Sequence, residues 1–142
     1  MARLAVVPPE DLPVMEFAFP GPLRDQLVAA ILAGDKTTTS GLVADYEHEG
    51  DPLPRPGERH TVIDSAGNRV AVIETTAVRV IRLADVDPAH AVGEGEGYTS
   101  VAEWRAGHER FWHSAEYRAA LGDPGFTVSD DTLIVAQSFR LL

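Results

Sequence analysis

The sequence contains no cysteine among its 142 residues. This excludes disulfide bonds, a catalytic thiolate and cysteine-ligated zinc. It also lacks a run of about 18 apolar residues that could span a bilayer, and Pro8 and Pro9 interrupt the N-terminal segment before a signal-peptide core of sufficient length develops. We therefore expect a cytoplasmic protein with no membrane partner.

Lysine is almost absent as well. Lys36 is the only lysine, so arginine accounts for the other 11 of the 12 basic side chains, and the formal net charge is −10. Non-specific binding to a phosphate backbone depends on clustered Lys and Arg, so double-stranded DNA is not an expected partner. A local basic pocket for one nucleotide is still compatible with this composition.

Length and composition are those of one ordinary domain. Residues 1–18 are rich in proline and predict an extended N-terminal arm, followed by a single domain over residues 19–142. A helix is predicted over 21–34, because Pro22 suits the first turn, Gly34 suits the C-terminal cap, and Leu23, Leu27 and Ile31 share one face.

The segments that follow indicate mostly β structure. "TTTSGLV" predicts a short strand and the acidic, proline-containing stretch 44–57 a long surface loop. Two alternating runs, "RHTVID" and "RVAVIETTAVRVI", flank the turn "SAGN" and predict a hairpin. Ser100 and Glu103 form a capping box that opens one long helix closing at Gly122, and "DTLIVAQSFRL" predicts a terminal strand. The class is therefore α+β.

Lys36 follows the first predicted helix directly and precedes Thr37, Thr38 and Thr39. One interpretation is structural, since a helix C-terminus favours a nearby cation. The other is chemical, since a buried lysine can lose its proton and act as a base, whereas arginine cannot be deprotonated in a protein.

Glu74 lies in the middle of the second hairpin strand. If residues 70, 72, 74, 76 and 78 face inward, its carboxylate must be paired or line a cavity; if 71, 73 and 77 face inward, it points to water. The sequence leaves both registers open.

Two metal or phosphate motifs fail on inspection. In "HERFWH" the histidines 108 and 113 are five residues apart, about 140° around a helix, so they cannot ligate one ion together. "GEGEG" lacks the lysine of a phosphate-binding loop and carries two carboxylates, so a turn, or at most a hydroxyl-binding or magnesium-binding loop, is the safer interpretation. No metal and no cofactor are predicted.

An ordered set of segments from about Phe19 to the C-terminus resembles the ASCH domain family. These segments are "GDKTTTSGL", "PGERHTVID", "VAVIETTAVRVIRLADV" and "GEGEGYTSVAEWRAGHERFW". The resemblance implies a small PUA-like β-barrel with flanking helices that recognises RNA or modified nucleosides. The sequence departs from the family at Gln137, where many relatives have Glu, and at Tyr98, where Asp is common.

One branch of this family hydrolyses N4-acetylcytidine, and the resemblance implies Lys36, Thr39 and Glu74 as its working residues here. In that interpretation Lys36 takes a proton from Thr39, whose hydroxyl attacks the acyl carbonyl, and Glu74 protonates the departing amine. The side chains expected to contact the substrate are Thr37, Thr38, Arg59, Arg105, His108 and Trp104.

Two other functions stay open from the sequence. In a single-stranded RNA ribonuclease, Lys36, Arg59, Arg105 and His108 would position and protonate the phosphodiester. In a binding module without catalysis, Lys36 would contact a phosphate and Trp104 or Trp112 would stack on a base. The structural alternative for both tryptophans is packing in the core.

Overall fold

The computed structural model describes residues 9–142 and contains five strands and five α-helices. The strands are β1 (Val14–Met15), β2 (Thr38–Leu42), β3 (Arg59–Ile63), β4 (Arg69–Arg82) and β5 (Leu133–Leu141). The helices are α1 (Pro22–Ala33), α2 (Val43–Glu49), α3 (Pro88–Gly93), α4 (Val101–Trp112) and α5 (Ala115–Leu121). Short 3₁₀ turns occupy Pro9–Asp11 and Leu83–Asp85.

The strands form one sheet in the order β1-β3-β4-β5-β2, which curls into a half-barrel. β1 runs parallel to β3, and the other neighbours are antiparallel. The predicted hairpin is confirmed as β3 and β4, and the terminal strand as β5. The predicted α+β class with a PUA-like barrel and flanking helices is confirmed.

The N-terminal segment 1–18 was predicted to be an extended arm. Its residues 1–8 lie outside the described part of the chain. Residues 9–18 contribute the first 3₁₀ turn and β1, whose Val14 aligns with Thr61 of β3.

Helix α1 begins and ends where the sequence predicts, with Pro22 in its first turn and Gly34 in the left-handed conformation at its C-terminal cap. Its buried face consists of Arg24, Leu27, Val28 and Ile31, whereas Leu23 is exposed. The buried face therefore begins at Arg24 and not, as the sequence had predicted, at Leu23.

Two element predictions are wrong. The stretch 44–57 is not entirely loop, because α2 follows β2 without a break, ends at Glu49 and is capped by Gly50. The helix predicted from Ser100 to Gly122 is two helices, because Ser114 caps α5 by accepting a hydrogen bond from the Tyr117 amide. The capping box is present at the start of α4, where the Glu103 amide donates to Ser100 Oγ over 3.1 Å.

Two clusters of buried side chains form the core. One packs α4 and α5 against β5 and is built around Trp104, Trp112 and Ile134. The other packs α1 and Phe17 against Val62, Ile73 and Phe139. Among the described residues, no helix is both long and apolar enough to cross a membrane.

Candidate functional site

A cleft of ≈ 1150 Å³ is lined by members of both core clusters. Its walls come from the N-terminal segment, β2, α2, and the loop between α3 and α4. Lys36, Thr39 and Ser40 line it from one side, and Glu94, Glu96 and His108 from the other. The remaining lining is largely aromatic and apolar, and it includes Phe17, Phe19, Tyr46, Tyr98, Phe111 and Tyr117.

The centre of this site is a buried ion pair between Lys36 and Glu94. Lys36 Nζ lies 3.3 Å from Glu94 Oε1, and both side chains are only 2% exposed. The ammonium also donates to the Thr38 carbonyl over 2.8 Å and to the Glu94 carbonyl over 3.3 Å. These contacts use all three donors of a protonated lysine.

The Glu94 carboxylate accepts from three further side chains. Ser40 Oγ donates over 3.2 Å, the Trp104 indole N–H also donates, and His108 Nε2 lies 2.9 Å away. Burial by itself raises the pKa of Glu94, but the Lys36 charge, His108 and Trp104 outweigh it and hold the pKa at about 2. Glu94 is therefore ionised at neutral pH.

His108 is fixed by two acceptors and one aromatic ring. Its Nδ1 lies 2.9 Å from the Trp104 carbonyl, its Nε2 faces Glu94, and its ring stacks on the Trp104 indole at 4.3 Å. Burial lowers the pKa of His108, but the Glu94 carboxylate and the Trp104 carbonyl raise it above its ordinary value. Because both ring nitrogens face oxygen acceptors, the imidazolium is the form that satisfies them.

A second histidine holds one of the hydroxyls of β2. His90 Nε2 lies 2.7 Å from Ser40 Oγ, and the His90 carbonyl accepts from Thr38 Oγ1 over 2.8 Å. Burial lowers the pKa of His90, so its imidazole is neutral at pH 7. Thr39 lies between Thr38 and Ser40 in β2, lines the cleft, and has no hydrogen bond from its hydroxyl within residues 9–142.

Glycines allow the loop before α4 to approach Lys36. Gly95 has φ of +72°, and a Cβ there would lie 2.8 Å from both the Cα and the amide nitrogen of Lys36. A Cβ added at Gly93 would lie equally close to Thr38, at 2.8 Å from its Cγ2. The "GEGEG" segment therefore places Glu94 next to Lys36 and is not a phosphate-binding P-loop.

Glu94, Glu96 and His108 also have ligand atoms within 4.8 Å of one another, a spacing that a metal site requires. Glu94, however, already accepts from Lys36, and this ammonium would repel a divalent cation at the same carboxylate. The donor set therefore fits an ion-pair network better than a metal centre.

The structure does not bring Glu74 to this site. Ile73 and Thr75 face inward in β4, so Glu74 points to the other face of the sheet, where it pairs with Arg59 over 3.3 Å and with Arg140 over 2.7 Å. Side-chain hydrogen bonds from Arg140 and Arg59 lower the pKa of this carboxyl. The carboxylate beside Lys36 is therefore that of Glu94, and the prediction that Glu74 lies beside Lys36 is wrong.

The cleft is not lined by Arg59, Arg105, Trp104 or Thr37, four of the side chains predicted to contact the substrate. Arg59 pairs with Glu74, and Arg105 pairs with Glu109 and Asp130. Trp104 is fully buried, so it cannot stack on a ligand and serves the core and Glu94 instead. Thr37 is exposed and does not line the cleft.

Of the other predicted residues, Thr38 is buried and donates to the His90 carbonyl. His108, Lys36 and Thr39 do line the cleft. Gln137, one of the departures from the family pattern, is buried beside Thr39 on the neighbouring strand and donates to Thr75 Oγ1 over 2.8 Å.

The curled sheet with its flanking helices defines an α+β protein of PUA-like architecture. The family model described as "ASCH domain" matches residues 15–142, and the chain therefore belongs to the ASCH domain family. None of the curated proteins compared with the chain matches it.

Solved structures agree with this assignment. The chain is similar to an ASCH domain from Lactobacillus crispatus JV V101 (25% identity, TM-score 0.74, 93% of this chain and 82% of that one). It is also similar to protein EF3133 from Enterococcus faecalis V583 (27% identity, TM-score 0.73, 84% of this chain and 69% of that one). A point mutant of the ZmASCH protein from Zymomonas mobilis shares the fold (14% identity, TM-score 0.50, 89% of this chain and 67% of that one).

Proposed function

We propose that this ASCH domain is an amidohydrolase that removes an acyl group from the base of a modified nucleoside such as N4-acetylcytidine. The observation that carries the proposal is the buried Lys36–Glu94 pair in an aromatic-lined cleft that Thr39, whose hydroxyl makes no hydrogen bond to the described residues, also lines. A nucleophile next to a paired proton donor and acceptor is the arrangement that acyl transfer needs.

In the proposed reaction, binding of the substrate displaces water and lowers the free energy of the neutral form of the buried pair relative to the ion pair. Lys36 then transfers a proton to Glu94, and the neutral amine accepts the proton of Thr39 as its oxygen attacks the acyl carbonyl. Glu94 returns its proton to the departing amine of the base. The acyl ester on Thr39 is hydrolysed by water, and Lys36 and Glu94 end as the original ion pair.

The charge of the cleft favours a free nucleoside over an RNA strand as the substrate. Seven carboxylates line the cleft against three cationic side chains: Glu16, Asp45, Glu49, Asp51, Glu58, Glu94 and Glu96 against Arg24, Lys36 and Arg110. Phosphate groups would be repelled there, whereas an uncharged base and ribose would not. Arg59 and Arg105, the arginines that a ribonuclease was expected to use, do not line this cleft.

The test is incubation with N4-acetylcytidine and chromatographic measurement of cytidine and acetate. We expect turnover by the natural chain, and at least a 100-fold loss in Thr39→Ala and in Lys36→Arg, because arginine keeps the charge but cannot release its proton. Thr39→Ser should retain part of the activity. Ser40→Ala shows whether the neighbouring hydroxyl, and not that of Thr39, is the nucleophile. Absence of turnover, together with salt-dependent binding of single-stranded RNA, would instead assign a binding module.

A further inference from the structure

The loop before α4 carries a second carboxylate, Glu96, which has no part in the reaction described so far. Glu96 lines the cleft, is half-buried, and its carboxylate accepts no hydrogen bond and forms no ion pair within residues 9–142. It follows Glu94 by two residues, on the loop that Gly95 brings against the Lys36 backbone. A half-buried carboxylate without a donor is available to a ligand or a water molecule in the cleft.

Glu94, in contrast, has no acceptor capacity left for water. Its Oε2 accepts from Ser40 and from the Trp104 indole, and His108 Nε2 lies 2.9 Å from the same oxygen. Its Oε1 faces the Lys36 ammonium at 3.3 Å. An ionised carboxylate has about four acceptor sites, and these four contacts occupy them. Glu94 can therefore exchange a proton with Lys36, but it cannot also activate a water molecule.

The surroundings of the two glutamates shift their pKa values in opposite directions. Burial raises the pKa of Glu94, but its cationic partners outweigh burial and hold the pKa at about 2. Burial raises the pKa of Glu96 as well; His108 and Lys36 oppose this change, the Glu94 charge adds to it, and the pKa ends above its ordinary value. The phenol of Tyr98 is the other titratable group nearby. Two carboxylates with separated pKa values can take separate proton-transfer roles in one site, and Glu96 is the stronger base of the two.

The spacing of these groups leaves room for a water molecule at the buried pair. Glu94, Glu96 and His108 have polar atoms within 4.8 Å of one another. One water molecule can bridge two such atoms, because each of its hydrogen bonds spans about 2.8 Å. Lys36 and Thr39 line the same cleft. A water molecule held by Glu96 would therefore lie beside the groups that carry out acyl transfer in the proposed function.

We propose that Glu96 is the general base of the second half of the reaction, in which water hydrolyses the acyl ester on Thr39. The proposal rests on the proposed function for the formation of that ester. As the water oxygen bonds to the acyl carbon, one of its protons moves to Glu96. The bond from the acyl carbon to Thr39 Oγ1 breaks, and this oxygen takes a proton from the Lys36 ammonium. The carboxylic acid product gives its proton to the Lys36 amine and leaves as a carboxylate, and Glu96 releases its proton to water.

The experiment follows N4-acetylcytidine in the Glu96→Gln variant, with rapid mixing and mass spectrometry of the protein. We expect a burst of about one equivalent of cytidine and an acetyl group on Thr39, because the first half-reaction is intact. Steady turnover should then be at least about 100-fold slower than in the natural chain. Glu94→Gln should give neither burst nor acetyl group. The matched control is Glu47→Gln, which makes the same charge change on an exposed position of α2 outside the cleft and should turn over at the natural rate.

Chemical rescue separates a proton-transfer role from a structural one. Added formate, a small carboxylate, should speed the loss of the acetyl group from Thr39 in Glu96→Ala, and it should have no effect on Glu94→Gln. Natural-rate turnover by Glu96→Gln, or slow turnover without acetylated Thr39, would overturn the role of Glu96 and leave the amidohydrolase intact. Activity that is lost in EDTA and restored by a divalent cation would also overturn it, because Glu96 would then be a metal ligand.

A different acyl donor covers the case in which no nucleoside is hydrolysed and the proposed function fails. The activated ester p-nitrophenyl acetate then replaces N4-acetylcytidine as the source of the acetyl group. Lasting acetylation of Thr39 in Glu96→Gln, but not in the natural chain, would support Glu96 as the base of ester hydrolysis. Equal acetylation of the two proteins, or none in either, overturns that role.

Discussion

Lys36 Nζ and Glu94 Oε1 are 3.3 Å apart, although 58 residues separate them in the sequence. The contact joins the end of α1 to the loop before α4, and each of the two side chains is only 2% exposed. A buried charge without a partner is strongly unfavourable. Replacing either of these two residues of the candidate site should therefore also lower the stability of the domain.

Removing the lysine charge should destabilise the protein. Lys36→Met leaves the Glu94 carboxylate buried without its ammonium, and we expect the free energy of unfolding to fall by about 3–5 kcal/mol. Glu94→Gln in the same background removes the uncompensated charge. Urea unfolding of both single variants and the double variant should therefore give a coupling free energy of at least about 2 kcal/mol. Additive effects would mean that the pair contributes nothing specific.

The two glutamates that could serve as the acid can be separated directly. Glu94→Gln should lower kcat on an N4-acyl nucleoside by at least about 100-fold, because the amide cannot take up and return a proton. Glu74→Gln is the matched control, since Glu74 pairs with Arg59 and Arg140 on the other face of the sheet, and its rate should stay within about twofold. A strong loss in the Glu74 variant with normal Glu94 kinetics would reverse the assignment.

Gly95 tests how closely the loop must approach the lysine. An alanine at position 95 would be strained by the positive φ, and its Cβ would lie 2.8 Å from the Lys36 backbone. At Gly97 φ is +84°, but an added Cβ would have no neighbouring atom within 4 Å. Gly97→Ala should therefore cost about 1 kcal/mol from backbone strain alone. Gly95→Ala should cost about 2 kcal/mol more and reduce activity. Thermal unfolding of the two variants measures the difference, and equal losses would show that the close approach is unimportant.

The pH dependence of stability follows from Glu94 and His108 with opposite signs. The folded pKa of Glu94 is depressed from 4.5 to about 2, so its contribution, on the order of 3 kcal/mol, is present above pH 4.5 and lost as the pH falls towards 2. The folded pKa of His108 lies above 6.5, so its contribution is full below that pH and is lost as the pH rises through the folded pKa.

Urea titrations across pH measure both contributions. Glu94→Gln should flatten the acid limb, and His108→Gln should flatten the limb above pH 6.5. An unchanged acid limb in the Glu94 variant would contradict the depressed pKa.

Elements with local signals were predictable from the sequence. Pro22 and Gly34 delimit α1, the Ser100–Glu103 box begins α4, and alternation defines the hairpin, since each of these depends on residues close together in the chain. Helix α2 was missed because the acidic residues and prolines of 44–57 were assessed together as loop, although Gly50 supplies a regular helix cap.

The site was only half predictable for the same reason. Lys36 was identified because it is the only lysine, and Thr39 because of the family resemblance, but Glu94 lies in a glycine-rich loop with no periodicity, and its partners come from distant elements. Two signals could have indicated it. A buried lysine requires a carboxylate, and an indole N–H on the core face of α4 requires an acceptor. The orientation of Glu74 could not be decided before the pairing of β4 was known.

The burial of Lys36 leaves the described surface without a lysine ε-amino group, although the chain has eleven arginines. Reagents and enzymes that acylate, crosslink or conjugate lysine would find no accessible target in residues 9–142 of the folded domain. Unfolding exposes that amine, so lysine-directed labelling at residue 36 reports the opening of the candidate site without any added probe.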